Sequence, residues 1–291
     1  MTAVPGDGAA PPRETTIIEP PSAADLWPLA AIRKLPHFAD LLRTLTLHRL
    51  RVRYKQSRLG IAWALIQPLA MMLVFTLMFT VLGRAPGGDV PYALFAYSAL
   101  VPWVAFAGGL STASTSLTGH ASLLTKVYFP REILPITYVL AALADLGLAS
   151  LALFALMLWF GVGLSVTALW ALPAILLLTA FLAGGSFLLS ALQVRYRDVG
   201  IGMPVLLQVW MFATPVIYPL DAVRDALPAW LYRLYVLNPM AAVTDTFRRA
   251  LVLHQPPDPL ALASGVLVTA VLLPAGYIYF KAHERTMADS V

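Results

Sequence analysis

Four cations crowd one short stretch: Arg51, Arg53, Lys55 and Arg58, with Tyr54 among them. Guanidinium and ammonium groups hold phosphate as bidentate forks or point charges. The cluster could therefore attract an anionic lipid pyrophosphate. With equal weight it could anchor the chain to anionic lipid, at about 1 kcal/mol per cation. A second set, Leu123, Lys126, Val127, Tyr128, Phe129, Arg131 and Glu132, mixes charge with apolar surface. A short helix of that kind can dock in a groove on a partner; an ordinary loop with aromatics at headgroup level is the alternative. Tyr196, Arg197 and Asp198 form a third polar knot. Asp145 stands alone in an apolar run. It must face the interior of a helix bundle, along a water-filled path or as a hydrogen-bond anchor between helices.

Other chemistries are absent from the pattern. No G-x-x-x-x-G-K-[ST] and no G-x-G-x-x-G occurs, so the chain has no phosphate cradle of its own. There is no Ser/His/Asp set, no H-E-x-x-H and no paired acidic motif. With no cysteine and five scattered histidines, neither a disulfide framework nor a metal site is expected. Asp145 lacks the partners that ion-coupled carriers use as a relay, so a gradient is a poor candidate for the energy source. No catalytic residue, cofactor or metal is expected on this chain.

The elements that must position these groups are membrane helices. Of 291 residues, 59% are hydrophobic and 12% charged, against about 25% charged in soluble domains. Leu59–Gly83 runs 25 residues without a charge. About 20 apolar residues cross a bilayer core of roughly 30 Å. Similar runs predict six spans at about 59–83, 91–117, 134–160, 168–194, 199–218 and 260–280. Residues 1–25, rich in Pro, Ala and Gly, read as a disordered tail without an apolar signal region. Residues 26–58 read as an amphipathic helix in the membrane interface, with a soluble helix as the alternative. Residues 219–259 hold six prolines and short amphipathic stretches. They read as short helices that lie on the outer surface or dip back into the membrane between spans five and six. A tail at 281–291 closes the chain.

Six spans put both termini on one side. That side collects 15 of the 20 Lys and Arg, so the positive-inside rule makes the termini cytoplasmic. The same placement explains the basic balance through lipid and orientation rather than nucleic acid. Aromatics concentrate in and around the spans. Trp159 and Trp170 flank a hairpin and read as interfacial belt. Trp63, Trp103, Phe106 and Asp145 are the candidates for lining a path, because aromatic faces stack on sugar rings.

The run from Arg51 to Leu69, RVRYKQSRLGIAWALIQPL, resembles the entrance to the first span of ABC-2-type permeases that export polysaccharides. Residues 123–135, LLTKVYFPREILP, resemble that family's cytoplasmic coupling segment, and Tyr196-Arg197-Asp198 its second cytoplasmic loop. TPVIYP (214–219) and LNPM (237–240), with Phe247-Arg248 beyond, resemble the end of the fifth span and the external re-entrant region. The resemblance covers about residues 35–280, with five motifs in order.

The resemblance implies a homodimer of all-α, six-span subunits bound to two copies of a separate ATPase, which holds ATP and magnesium. It implies a lipid-linked glycan of O-antigen, capsule or teichoic-acid type, exported across a bacterial cytoplasmic (inner) membrane. The 123–135 set and Tyr196–Asp198 would couple to the ATPase; Arg51, Arg53, Tyr54, Lys55 and Arg58 would take the head group; Tyr218, Asn238 and Arg248 would stand at the external exit. Rival readings are an ABC-2 exporter of drugs or other lipids, and a membrane-embedded enzyme of lipid-glycan metabolism. The enzyme is poorly supported, because Glu132 and Asp198 each sit beside an arginine instead of in an acidic cluster.

Overall fold

The computed structural model describes residues 38–55, 59–81, 83, 90–120 and 129–290. Ten α-helices are used below: α1 (Ala39–Lys55), α2 (Trp63–Val81), α3 (Tyr92–Ser114), α4 (Ile133–Trp159), α5 (Ala171–Arg195), α6 (Asp198–Phe212), α7 (Leu220–Ala226), α8 (Ala229–Tyr235), α9 (Pro239–Arg248) and α10 (Pro259–Ser290). No strand occurs among the described residues.

Five helical stretches are long and apolar enough to cross a membrane: Gly60–Val81, Tyr92–Ser114, Ile133–Trp159, Val166–Arg195 and Pro259–Glu284. α3 is the central one. Of its most apolar window 78% is buried, against 11% for the stretch containing α2. α2 accordingly offers Leu73, Val74, Leu77 and Val81 outward, as a lipid-facing helix does.

Side-chain contacts fix the directions. α3 and α4 are antiparallel, since Tyr97 Oη reaches Ala149 O at 3.2 Å while Gly109 lies against Ala142. α5 and α10 are parallel: Gly265 meets Leu177, Gly184 meets Leu273, and Phe187 packs edge-on against Tyr277 and Phe280. Two parallel helices joined in sequence need a return crossing between them. The return begins with α6, which runs antiparallel to α5, from Gly200 beside Gln193 to Trp210 against Phe181.

Residues 199–218, expected as one span, are not a single helix. α6 has 15 residues, about 22 Å of rise, which is short of the bilayer core. It stops at Phe212 because Pro215 pushes Thr214 out of the helical region. Non-helical backbone from 213 to 219 carries the chain onward, to where Tyr92 Oη donates to Ile217 O at 3.0 Å.

The 219–259 segment is built from α7, α8 and α9. α8 begins near α10's first residues, its Tyr232 hydroxyl 3.5 Å from Asp258. Asn238 then lies at the depth of Trp210, which packs on Trp103, the midpoint of α3. From there α9 returns past Gly265 toward the α4–α5 hairpin, where Thr167 donates to Ala250 O. α8 and α9 thus form a re-entrant hairpin. Every residue of α9 is buried, and this is how backbone at that depth is tolerated. At the other end, α1 seats Leu42 in a second apolar cluster with Phe129, Phe187, Tyr277 and Phe280. Its Arg43, His48, Arg51 and Lys55 face outward. α10 continues as helix to Ser290, where a separate tail was expected from 281.

Candidate functional site

The candidate residues separate to the two ends of the bundle. At the end holding Arg195 and Lys281, the turn between α5 and α6 exposes Arg195, Tyr196, Arg197 and Asp198 together. Tyr196 is 52% exposed, with the Arg195 guanidinium 5.4 Å from its ring centre. The turn is held from behind by Gln193. Its amide oxygen accepts from Gly200 N at 2.5 Å and its amide nitrogen donates to Arg197 O at 3.2 Å.

Of the docking set, Leu123, Lys126, Val127 and Tyr128 lie outside the described residues. Phe129 and Glu132 lie within them and turn inward. Phe129 is 8% exposed, in the cluster that seats α1. Glu132 accepts from Lys281 at 2.8 Å, and Lys281 also reaches Glu284 at 3.0 Å. Arg131 donates to Glu284 O. These three residues therefore fasten the segment to the end of α10 rather than offering it as free surface. A buried carboxylate needs a paired cation, and the span-end Lys281 supplies it. The signal for Lys281 was present in sequence, as a cation one residue past an apolar run.

The basic lead-in is resolved in part. Arg51 and Lys55 are exposed on α1; the side chains of Arg53 and Tyr54 and the whole of Arg58 are outside the described residues. Arg49 lies 3.4 Å from the ring centre of Tyr138 on α4, a cation–π contact that pins α1 to the bundle.

The path candidates divide. Trp63 is 50% exposed at the start of α2, and Asp145 is half-buried on α4. Trp103 and Phe106, at 3% and 1% exposed, are core residues in this chain. They pack with Phe181 and Trp210, ring centres 5.3–6.5 Å apart. Aromatics gain from such mutual packing inside one bundle.

At the opposite end, Asn238 and Arg248 close the two ends of α9 onto the broken end of α6. The Asn238 side chain caps α9 by accepting from Met240 N at 3.1 Å. It also accepts from Trp210 Nε1 at 3.1 Å and donates to Thr214 Oγ1 at 2.9 Å and Ala213 O at 3.3 Å. Arg248 is fully buried. It donates to Pro215 O at 2.9 Å, Val216 O at 2.5 Å, Tyr218 O at 3.1 Å and Phe95 O at 3.2 Å. Its guanidinium lies 3.8 Å from the Phe95 ring centre. Non-helical backbone at this depth leaves carbonyls without helical partners, and a guanidinium with five N–H groups is suited to collect those of residues 215, 216 and 218. Tyr218 donates to Phe212 O at 2.7 Å and lies 3.2 Å from the Tyr235 hydroxyl.

A chain of ion pairs rims this end. Asp245 meets Arg249 at 2.7 Å, Arg249 meets Asp221 at 2.7 Å, Asp221 meets Arg224 at 2.5 Å, and Arg224 meets Asp258 at 3.3 Å. It joins α9, α7 and the start of α10. Burial, reinforced by Asp258, pushes the Tyr232 hydroxyl beside it up to about 12. No group of three or more potential metal ligands occurs among the described residues. The arrangement offers no nucleophile with a base. It offers an exposed polar turn at one end and a re-entrant plug at the other.

Comparison with known proteins agrees with that arrangement. The ABC-2 type transporter family matches residues 40–252. An O-antigen export system permease protein RfbA from Myxococcus xanthus is 31% identical over 264 residues, covering 89% of this chain and 98% of the relative. Two proteins of the same name from Klebsiella pneumoniae are 27% and 26% identical over 193 residues, 66% of this chain and 73% of each relative. The chain belongs to the ABC-2 type transporter family, as a transport membrane subunit and not an enzyme.

Proposed function

We propose that this chain is the permease subunit of an ABC exporter that carries a lipid-linked O-antigen-type polysaccharide across the cytoplasmic membrane. The observation that carries the reading is the likeness to an O-antigen export permease over 89% of the chain. Two copies would form the path, and two copies of a separate ATPase would drive it. This division of labour fits a chain with no phosphate-binding loop.

The Arg195–Asp198 turn, exposed and mixed in charge and ring character, is the surface on which the ATPase would act. The Arg131–Glu132–Lys281 cluster would hold the neighbouring segment in place. Both termini and these loops would lie in the cytoplasm, in keeping with the cation excess on that side. Exposed Arg51 and Lys55 on α1 suit a phosphate-bearing head group arriving from the inner leaflet. The α8–α9 hairpin, closed by Asn238 and Arg248, would stand at the outer end of the path.

The test is co-expression with an ATPase partner, purification and reconstitution into proteoliposomes. A 2:2 complex whose ATP-dependent activity moves a lipid-linked glycan to the opposite leaflet is expected. A chain that purifies alone, binds no ATPase and moves no glycan overturns the reading.

A further inference from the structure

We propose that the Asn238 side-chain amide is the joint that makes α6 and the re-entrant helix α9 move as one unit. Displacement of the exposed Arg195–Asp198 turn is thereby delivered to the far end of the path. The inference rests on the exporter reading for its purpose, but its mechanics follow from contacts alone.

α6 is lightly held along its length. Met203, Leu207 and Met211 are its buried residues, while Ile201, Val205, Leu206, Val209 and Phe212 face outward. Its first residues adjoin the exposed turn, gripped by Gln193. Its last turn ends at mid-depth in the Trp103–Phe106–Phe181–Trp210 cluster. A helix of this kind acts as a rod, free to tilt or slide, with a handle at one end.

At the other end of the rod the amide is fully committed. A primary amide has two N–H donors and an oxygen with two lone pairs. Asn238 uses both donors on Ala213 O and Thr214 Oγ1, and both lone pairs on Trp210 Nε1–H and Met240 N–H. Three of those partners belong to the α6 end and one to the start of α9. Neither element can move away without breaking these bonds. Arg248 adds a second tie from the other end of α9 to residues 215–218. Two hydrogen bonds among the described residues tie this unit to the start of α3: Tyr92 to Ile217 O and Arg248 to Phe95 O. A shift of the rod would load those two bonds and the apolar packing of α9 on α3.

Two milder variants approach the joint from opposite sides. Trp210→Phe removes one donor and Thr214→Val one acceptor; Asn238→Ala removes the joint. In the reconstituted complex, Trp210→Phe and Thr214→Val are each expected to keep ATP hydrolysis while glycan exported per ATP falls about fivefold or more. The double variant should be no worse than either single one. Unchanged export per ATP, or hydrolysis and export falling in proportion, overturns the joint. A merely structural role would lower both together. If wild-type complex exports no glycan, the exporter reading fails, and amide exchange in the purified chain then decides the joint. Residues 240–242 should exchange about fivefold faster in Trp210→Phe, with 136–142 of α4 unchanged; equal protection at 240–242 overturns it. Should Asn238→Ala fail to fold, the two milder variants decide alone.

Discussion

Lys281 Nζ sits 2.8 Å from Glu132 Oε2, although 149 positions separate the two residues. The pair ties the start of α4 to the end of α10, beside the apolar cluster that receives Phe129. Their side chains are 10% and 5% exposed, so removing Lys281 strands Glu132 away from water. Lys281→Met should lower stability by about 3 kcal/mol, while Lys281→Met with Glu132→Leu should cost much less. Thermal unfolding in detergent reads both. A single variant as stable as the native chain would refute the pairing.

The carbonyls gathered by Arg248 make it the most sensitive single position in the re-entrant region. Arg248→Ala leaves the carbonyl oxygens of Pro215, Val216 and Tyr218 without this donor, at about 1–3 kcal/mol each, while Phe95 O keeps its bond from Ser98 Oγ. The variant is expected to accumulate poorly or to aggregate on extraction. Arg248→Lys keeps the charge with three donors and should fall between. Size-exclusion profiles of equal expression cultures give the ranking, and native-like behaviour of Arg248→Ala would contradict it.

α5 and α10 approach closely through glycine. A Cβ on Gly276 would stand 2.4 Å from Gly184 O, and one on Gly184 would stand 2.8 Å from Leu273 Cα. Backbone cannot step aside cheaply, so Gly276→Ala should destabilise by about 1–3 kcal/mol or more. Gly147→Ala, in α4 with open space around its Cβ, should be neutral or stabilising by up to about 1 kcal/mol. Equal melting temperatures for the two variants would remove the packing argument.

The exposed turn makes a prediction of the opposite kind. Tyr196→Ala and Arg197→Glu touch no core residue, so folding and membrane insertion should be unchanged to within about 0.5 kcal/mol. Association with an ATPase partner, measured by co-purification, should fall about tenfold or more for a hot-spot residue. Full retention of the partner by both variants would move the docking surface elsewhere.

The sequence alone determined the class of this protein. Runs of 20 or more uncharged residues have few solutions besides membrane helices. Its motifs also placed Tyr196–Asp198 on an exposed turn and Asn238 and Arg248 in the segment after span five. Such features are local, because they depend on spacing and composition. The tertiary structure decided where the fifth run breaks and what closes it. Pro215 hints at a helix end, but only packing brings Arg248, more than 30 positions later, to the freed carbonyls. It also turned Phe129 and Glu132 inward and buried Trp103 and Phe106. An apolar or charged residue is compatible with lipid, partner or core until the helices around it are in place, and the choice among those surroundings is a property of contacts between distant residues.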